Sequence, residues 1–425
     1  AIQEDADSSD IADAAQEVIR AEQDKIDSLS LWSTPLTVTT ADTVLGLMVN
    51  ARRSIYSLPA IMQSAIVFDE IHAFDDQMFG HLLVFLKNFP KLPVLLMTAS
   101  LPNERLNAIK AIRPDLNCVP GLEEFENLPR YNIPYPVEQV DEATVWREVE
   151  KCLENNGKVL WVRNRVDWAN QTYRQAKSNH QFSNLVNVYH SRLRYKDRSD
   201  RHRRVIDTFK EKGKAALLIS TQVAEMSLDL SADLLVTDIA PVPALIQRMG
   251  RLNRRATPDN PDRPKPALIC PLPKSERDVY KPYEKLDIET SLVWVQKLLN
   301  LDRSLNQRDL ADKFLEVSNP KEYDYEKAEK RACFFSGVWR TRPGLTRAEG
   351  YTISVILKQD FDNCNDFNKF GQPSPDWIRK HEVAIPIKSE ALKWDKVAGV
   401  RIAPKEFVSY DYDEKTKEGT GASWQ

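Results

Sequence analysis

The stretch from Ala215 to Arg255 reads AALLISTQVAEMSLDLSADLLVTDIAPVPALIQRMGRLNRR. Two strand-length runs, 215–219 and 233–237, are apolar with little alternation, as strands buried on both faces of a parallel sheet are. A polar segment separates them, and an arginine-rich segment follows the second. Runs of the same kind recur at 65–68, 93–97, 159–162 and 185–189. Amphipathic segments of helical length lie among them, at 78–88, 143–154 and 165–177. Strand alternating with helix predicts a doubly wound α/β architecture.

At 425 residues the chain suits two or three domains rather than one core. Pro120, Pro129, Pro134 and Pro136 punctuate a polar stretch between two α/β blocks, and Pro258, Pro261, Pro264, Pro266, Pro271 and Pro273 crowd a second. Proline breaks helices and removes ladder donors, so both stretches read as connectors. The expected boundaries are 1–136 for the first block, 137–257 for the second, 258–275 for a Pro-rich linker and 276–425 for an accessory region. That last region is expected to be helical over 288–315 and then richer in strands. The acidic opening, 10–26, has spacing compatible with a short surface helix.

Hydrophobic residues make up 42% and charged residues 28%, the balance of an ordinary globular protein. No apolar run approaches the length of a membrane span, and the N-terminus lacks the cationic start and apolar core of an export signal. No membrane partner is expected. The five cysteines form no CxxC pair, so neither a zinc site nor a disulfide framework is suggested, and a reducing cytoplasm is the expected location. The net charge of -3 does not announce a nucleic-acid binder, yet the charge is uneven. Residues 1–27 carry nine acids against two bases, and 192–204 carry seven bases against two acids. Such a basic run serves either a solvated helix face or an anion.

Three segments carry chemistry. Asp69-Glu70-Ile71-His72 follows directly on the run 65–68, and ligands of open α/β sheets bind at the carboxyl ends of strands. Two adjacent carboxylates there suit a hydrated magnesium ion on phosphates, one holding the metal and the other orienting water; two surface acids at a strand end account for them equally. The next run ends in Thr98-Ala99-Ser100, whose hydroxyls either cap the following helix or belong to the same site. In the second block, Arg248, Arg251, Arg254 and Arg255 fall within nine residues without an intervening acid. On a helix Arg251 and Arg254 point the same way, and two guanidinium forks on one face suit a polyphosphate.

The DEIH, the TAS, the run 221–229 and QRMGRLNRR occur in the order and spacing of superfamily 2 helicase motifs II, III, V and VI. Val38-Thr39-Thr40-Ala41-Asp42 resembles the threonine motif before motif II, Trp161-Val162-Arg163-Asn164-Arg165 resembles motif IV, and Tyr189-His190-Ser191-Arg192 resembles the nucleic-acid-contacting motif after it. The wider wording, in DEIHAFDDQMFG, LLMTASLP and FFSGVWRTRPG, resembles the helicase of type I CRISPR interference. The likeness runs over nearly the whole chain from Leu36 on.

That resemblance implies two RecA-like lobes with parallel sheets, the first incomplete, followed by a mixed helical/β C-terminal region. ATP and Mg2+ are the implied cofactors. Asp69 would hold magnesium, Glu70 activate water, Gln247 sense the γ-phosphate, Arg251 and Arg254 act as arginine fingers, and Asp229 lie near the nucleotide sugar. His72, Thr98 and Ser100 would couple the nucleotide state to nucleic-acid grip. Thr39, Thr40, Arg163, His190, Ser191, Arg192 and Thr221 would face the DNA backbone, tracking phosphates without reading sequence. The seven-base stretch would add a salt-sensitive term. The implied activity is ATP-dependent 3′ to 5′ movement on single-stranded DNA, recruited by an RNA-guided surveillance complex so that target DNA is unwound for degradation.

The chain departs from the family in two places. No GxxxxGK[ST] phosphate loop occurs: Gly157-Lys158 has Cys152 where the first glycine belongs, and Gly213-Lys214 has Thr208. The chain is therefore expected to be the later part of a longer protein and, alone, not to turn ATP over. No histidine precedes an aspartate, so the nuclease is expected on another subunit or domain, as in subtype I-D. Two other functions stay open: a non-catalytic docking or DNA-binding fragment, and a superfamily 2 helicase of another pathway. Trp339-Arg340-Thr341-Arg342-Pro343-Gly344 is either a DNA-facing loop or an arginine packed on an indole.

Overall fold

The computed structural model describes residues 25–26, 28–98, 101–178, 181–226, 228–273, 278–318, 323–332, 346, 352–367 and 372–425. Most of the acidic opening, Ser100 and the segment 339–344 lie outside them. The chain divides into two units, residues 1–119 with 319–349, and residues 120–318 with 350–425. The stretch beyond 276 is thus shared between the units rather than forming one accessory region. Among the described residues no helix is long and apolar enough to cross a membrane.

In the first unit, β1 (Ile66–Phe68) and β2 (Val94–Leu96) pair in parallel, Ile66 opposite Val94 and Phe68 opposite Leu96. The connecting helix Asp76–Asn88 starts where Asp75 accepts the Met78 N–H (2.7 Å), which satisfies one of its free donors. Its residues 78–86 are all buried, as in a helix that is apolar around its whole circumference. Phe68 and Phe85 meet edge to face, 5.8 Å apart. The helix Tyr325–Arg331 packs on the same element, with Lys87 paired to Glu329 and Phe79 against Tyr323. Val67 and Leu95 alternate to the sheet's other face and are exposed.

The second unit holds an all-parallel six-stranded sheet. Its strands are β3 (Tyr131–Asn132), β4 (Lys158–Val162), β5 (Val186–Tyr189), β6 (Ala216–Ser220), β7 (Leu234–Asp238) and β8 (Lys265–Cys270), in the order β3-β8-β7-β4-β6-β5. Every residue of β4, β6 and β7 is buried. Alternate residues feed separate cores: Leu160, Leu218 and Leu235 enter one cluster, Val159, Leu217 and Val236 the other. That division is what period-2 geometry demands of a sheet covered on both faces.

Strands expected from continuous apolar runs are found within a residue or two. The expected linker at 258–275 is not one throughout, because it contains β8. Pro266 sits where β8 meets only the two-residue β3, and pairing with β7 begins at Ala267. The missing N–H of Pro266 therefore falls outside the β7 ladder.

Residues 350–425 add a mixed sheet of β9 (Thr352–Leu357), β10 (Val383–Pro386), β11 (Lys396–Val397) and β12 (Val400–Ala403), in the order β10-β9-β12-β11. A hairpin follows, β13 (Val408–Asp413) and β14 (Glu418–Trp424). Val355, Ile385, Trp394 and Ala422 share one small core between them.

Candidate functional site

The acid pair stands at the carboxyl end of β1. Glu70 adopts a left-handed backbone, φ 54°, unusual for a residue with a Cβ and of a kind that collects at functional sites. Its carboxylate lies 3.2 Å from His72 Nδ1, and the same nitrogen lies 3.4 Å from Thr98 Oγ1 at the end of β2. The adjacent backbones are tied as well, with Ile71 N–H on Met97 O and Met97 N–H on Phe68 O. Glu70, His72 and Thr98 are therefore joined across two neighbouring strand ends. Burial holds His72 below the usual histidine range, against the opposing pull of Glu70. A neutral imidazole with its proton on Nδ1 donates to Glu70 or to Thr98.

Asp69 is exposed, and one of its oxygens accepts the Glu70 N–H (2.9 Å). Among the described residues no cluster of three or more His, Cys, Asp or Glu could hold a metal. A magnesium ion needs no such cage: one or two carboxylates with water and phosphate oxygens suffice, and the pair fits that requirement. Thr39 and Thr40 are exposed just before the helix Ala41–Leu45, both near the Thr43 hydroxyl (2.8 and 3.4 Å).

In the second unit the four arginines of the motif part company. Arg248 is fully buried. Its guanidinium donates to Glu225 Oε1 (2.9 Å), Asn164 Oδ1 (3.1 Å), Thr237 Oγ1 (2.8 Å), Asp238 O (3.2 Å) and Tyr283 Oη (3.1 Å). Burial pushes the Glu225 carboxyl up, with Arg248 opposing. Arg248 therefore serves packing rather than a polyphosphate, and finds its acid 23 residues upstream. Arg251 is also buried, and its guanidinium donates to the carbonyls of Ala224 and Glu225. Arg254 is half-exposed and stands 3.4 Å from the exposed Asp229. Gln247 is buried, and its Nε2 has no hydrogen-bond partner among the described residues. A buried amide donor left unpaired is costly, which fits a site that a ligand acceptor completes. Sequence reasoning missed Asn164, Glu225 and Tyr283; the buried arginine they serve was the only signal.

The residues expected to face DNA are placed less uniformly. Ser191 is partly exposed. Arg163 is held by Asp238 (3.1 Å) and Thr172 (3.1 Å), and Arg192 pairs with Asp167. Thr221 is buried. His190 is wholly enclosed; its Nε2 reaches Asn170 Oδ1 (2.9 Å) and its Nδ1 accepts the Arg192 N–H (3.2 Å). Burial pushes this imidazole down to about 3. His190, expected to face a phosphate backbone, thus has its ring turned into the interior, bonded to Asn170 and to the Arg192 N–H.

The basic run 192–204 is likewise largely engaged. Arg194 pairs with Asp360 (2.8 Å) and Lys196 with Glu414 (3.6 Å). Arg201 is buried and donates to the carbonyls of Val188, Lys417 and Gly419.

Residues 155–257 match the family model described as CRISPR-associated nuclease/helicase Cas3, C-terminal. A Myxococcus xanthus (strain DK1622) protein bearing the name CRISPR-associated nuclease/helicase Cas3 is 39% identical over 380 residues, covering 88% of this chain and 47% of that protein. The chain thus spans about half the length of that relative. T. fusca Cas3 with AMPPNP has the same fold, with a TM-score of 0.64 at 18% identity over 92% of this chain and 56% of that one. A chain of a CRISPR RNA-guided surveillance complex, pre-nicking, aligns with a TM-score of 0.59 at 17% identity, over 88% of this chain and 57% of its own length.

Proposed function

Since this chain is a relative of the CRISPR-associated Cas3 helicases, we propose that it forms part of an ATP-driven motor that moves along single-stranded DNA and unwinds target DNA for degradation. The observation that carries this function is the linkage of Glu70 to Thr98 through His72. A carboxylate that orients water and a hydroxyl on the next strand share one neutral imidazole. A change at the nucleotide therefore alters which of them His72 serves.

Magnesium, when bound, supplies charge neutralisation at the β- and γ-phosphates. The chain's own residues do the rest. Asp69 would hold the metal, and Glu70 would orient the attacking water. The unpaired Gln247 amide donates to a γ-phosphate oxygen, Arg254 meets charge developing on the transferred group, and Asp229 stands beside it for the sugar. Arg251 takes the second finger role once it exchanges the Ala224 and Glu225 carbonyls for phosphate. Thr39, Thr40 and the partly exposed Ser191 would offer hydroxyls to a phosphate backbone, and Arg163, Arg192 and Thr221 are proposed to face it as well.

An RNA-guided surveillance complex is the proposed partner, supported by the fold shared with a chain of such an assembly. The nuclease is proposed to lie on another domain or subunit, since no His-Asp pair occurs in these 425 residues.

The test is ATP hydrolysis by the protein purified from its host, with and without single-stranded DNA. Hydrolysis should rise with DNA, and Glu70→Gln should lower it by about 10²–10⁴-fold while sparing nucleotide binding. Nucleotide binding without hydrolysis in the unmodified protein would mark a docking module instead. Stimulation by RNA alone would place the motor in another pathway.

A further inference from the structure

The segment 189–194 leaves β5 and carries the loop proposed above to meet nucleic acid. Its conformation is fixed by a part of the chain more than 200 residues later. Ala422 N–H of β14 donates to Arg192 O (2.7 Å). Asn170 accepts from His190 with one side-chain atom and donates to Thr420 O (3.2 Å) with the other. Tyr410 of β13 accepts the Arg194 N–H at its hydroxyl (3.0 Å) and donates to Asp197 (2.6 Å), while the Arg194 guanidinium lies 3.9 Å over its ring. Gly421, at φ +71°, lets the strand run so close that a Cβ there would collide with Arg192 O.

A two-stranded hairpin alone is marginally stable, so these contacts hold the hairpin and the loop in one another's favour. The contacts reach backbone atoms at 192 and 194 and the ring at 190, the three points that determine where the Ser191 hydroxyl and the neighbouring N–H groups point. A purely space-filling hairpin would need none of them.

We propose that the hairpin β13–β14 is a positioning element for nucleic-acid grip, locking the backbone of residues 190–194 in the conformation that receives a phosphate chain. This rests on the motor function proposed above. Tyr410 and Gly421 touch neither nucleotide nor nucleic acid; they act through the loop.

The experiment uses the whole protein with Tyr410→Phe, a mild change, and Gly421→Ala, a severe one. Amide hydrogen exchange is measured over peptides spanning 187–194, and affinities are measured for a fluorescent oligothymidylate and a fluorescent ATP analogue. Losing one hydrogen bond to the loop should speed exchange there and weaken DNA binding by about 3–10-fold, with nucleotide affinity unchanged. Gly421→Ala should exceed that on both counts. Unchanged exchange at 187–194 in both variants overturns the positioning role, and so does a parallel fall in DNA and nucleotide affinity. Faster exchange with unchanged DNA affinity overturns its use for nucleic acid. A wild-type protein that ignores single-stranded DNA overturns the motor function instead, and exchange in the two variants still decides whether the hairpin holds the loop.

Discussion

Arg251 and Arg254 lie three residues apart and differ in what surrounds them. Arg251 is buried against two carbonyls of the helix Val223–Met226, whereas Arg254 is half-exposed beside Asp229. Alanine at either position should lower ATP turnover, by about 10³-fold if it acts as a finger. Only Arg251→Ala should also lower stability, by roughly 1–3 kcal/mol, because buried carbonyls lose their donor. Arg254→Ala should stay within about 0.5 kcal/mol of wild type. Urea unfolding beside a turnover assay separates the two, and an unstable Arg254→Ala would contradict the assignment. His190 makes a prediction of its own. The folded imidazole stays neutral down to about 3, while in the unfolded chain it protonates near 6.5. Between those values the unfolded state binds the extra proton, so this contribution is intact above pH 6.5 and is lost as pH falls toward 3. The slope is at most about 1.4 kcal/mol per pH unit. Denaturation midpoints measured from pH 7 to 5 should show that slope in wild type and lose it in His190→Leu; identical slopes would show that His190 titrates normally.

At the scale of elements, Arg248 joins the ends of β4 and β7 to the helix Val223–Met226 and to the bend before the helix Lys285–Leu299, through Asn164, Thr237, Glu225 and Tyr283. Arg248→Met would leave the Glu225 carboxyl buried without its partner. The expected loss is about 3–5 kcal/mol, read as a lower denaturation midpoint for the second unit. A smaller loss would mean that Glu225 protonates at little cost. The elements also show what could be read from sequence and what could not. β4, β6 and β7 are continuous apolar runs, and burial on both faces leaves little else for them to be. β8 was hidden because Pro264 and Pro266 argue for a connector, and its strand character rests on the short run after them. The acid pair was legible because it closes a strand. The Arg248 network was not, since its members are contributed by residues from 164 to 283 and meet only in the fold. The hairpin contacts were equally invisible: Tyr410 and Asp197 are 213 residues apart.

At the scale of the whole molecule, charge bears on how nucleic acid would be held under the proposed function. The net charge of -3 leaves long-range attraction weak, so any electrostatic grip depends on local cations. The one dense basic run does not supply many. Arg192, Arg194 and Lys196 face carboxylates, and Arg201 is buried under carbonyls. Arg203 and Arg204 line a surface groove with Lys210, Asp200, Asp207 and Glu211, where the three acids offset the three cations. Two cations that each released a counterion from single-stranded DNA would add about 1.4 to the slope of log affinity against log salt. Replacing both, as Arg203→Gln with Arg204→Gln, should change that slope by clearly less. A drop near the full value would show that the basic helix grips phosphates after all. A small change leaves the grip to backbone N–H groups and hydroxyls of the 189–194 loop and its counterparts, which carry no net charge and bind by geometry. A motor that must release and re-engage the strand at every step is better served by contacts of that kind than by a field that salt can screen.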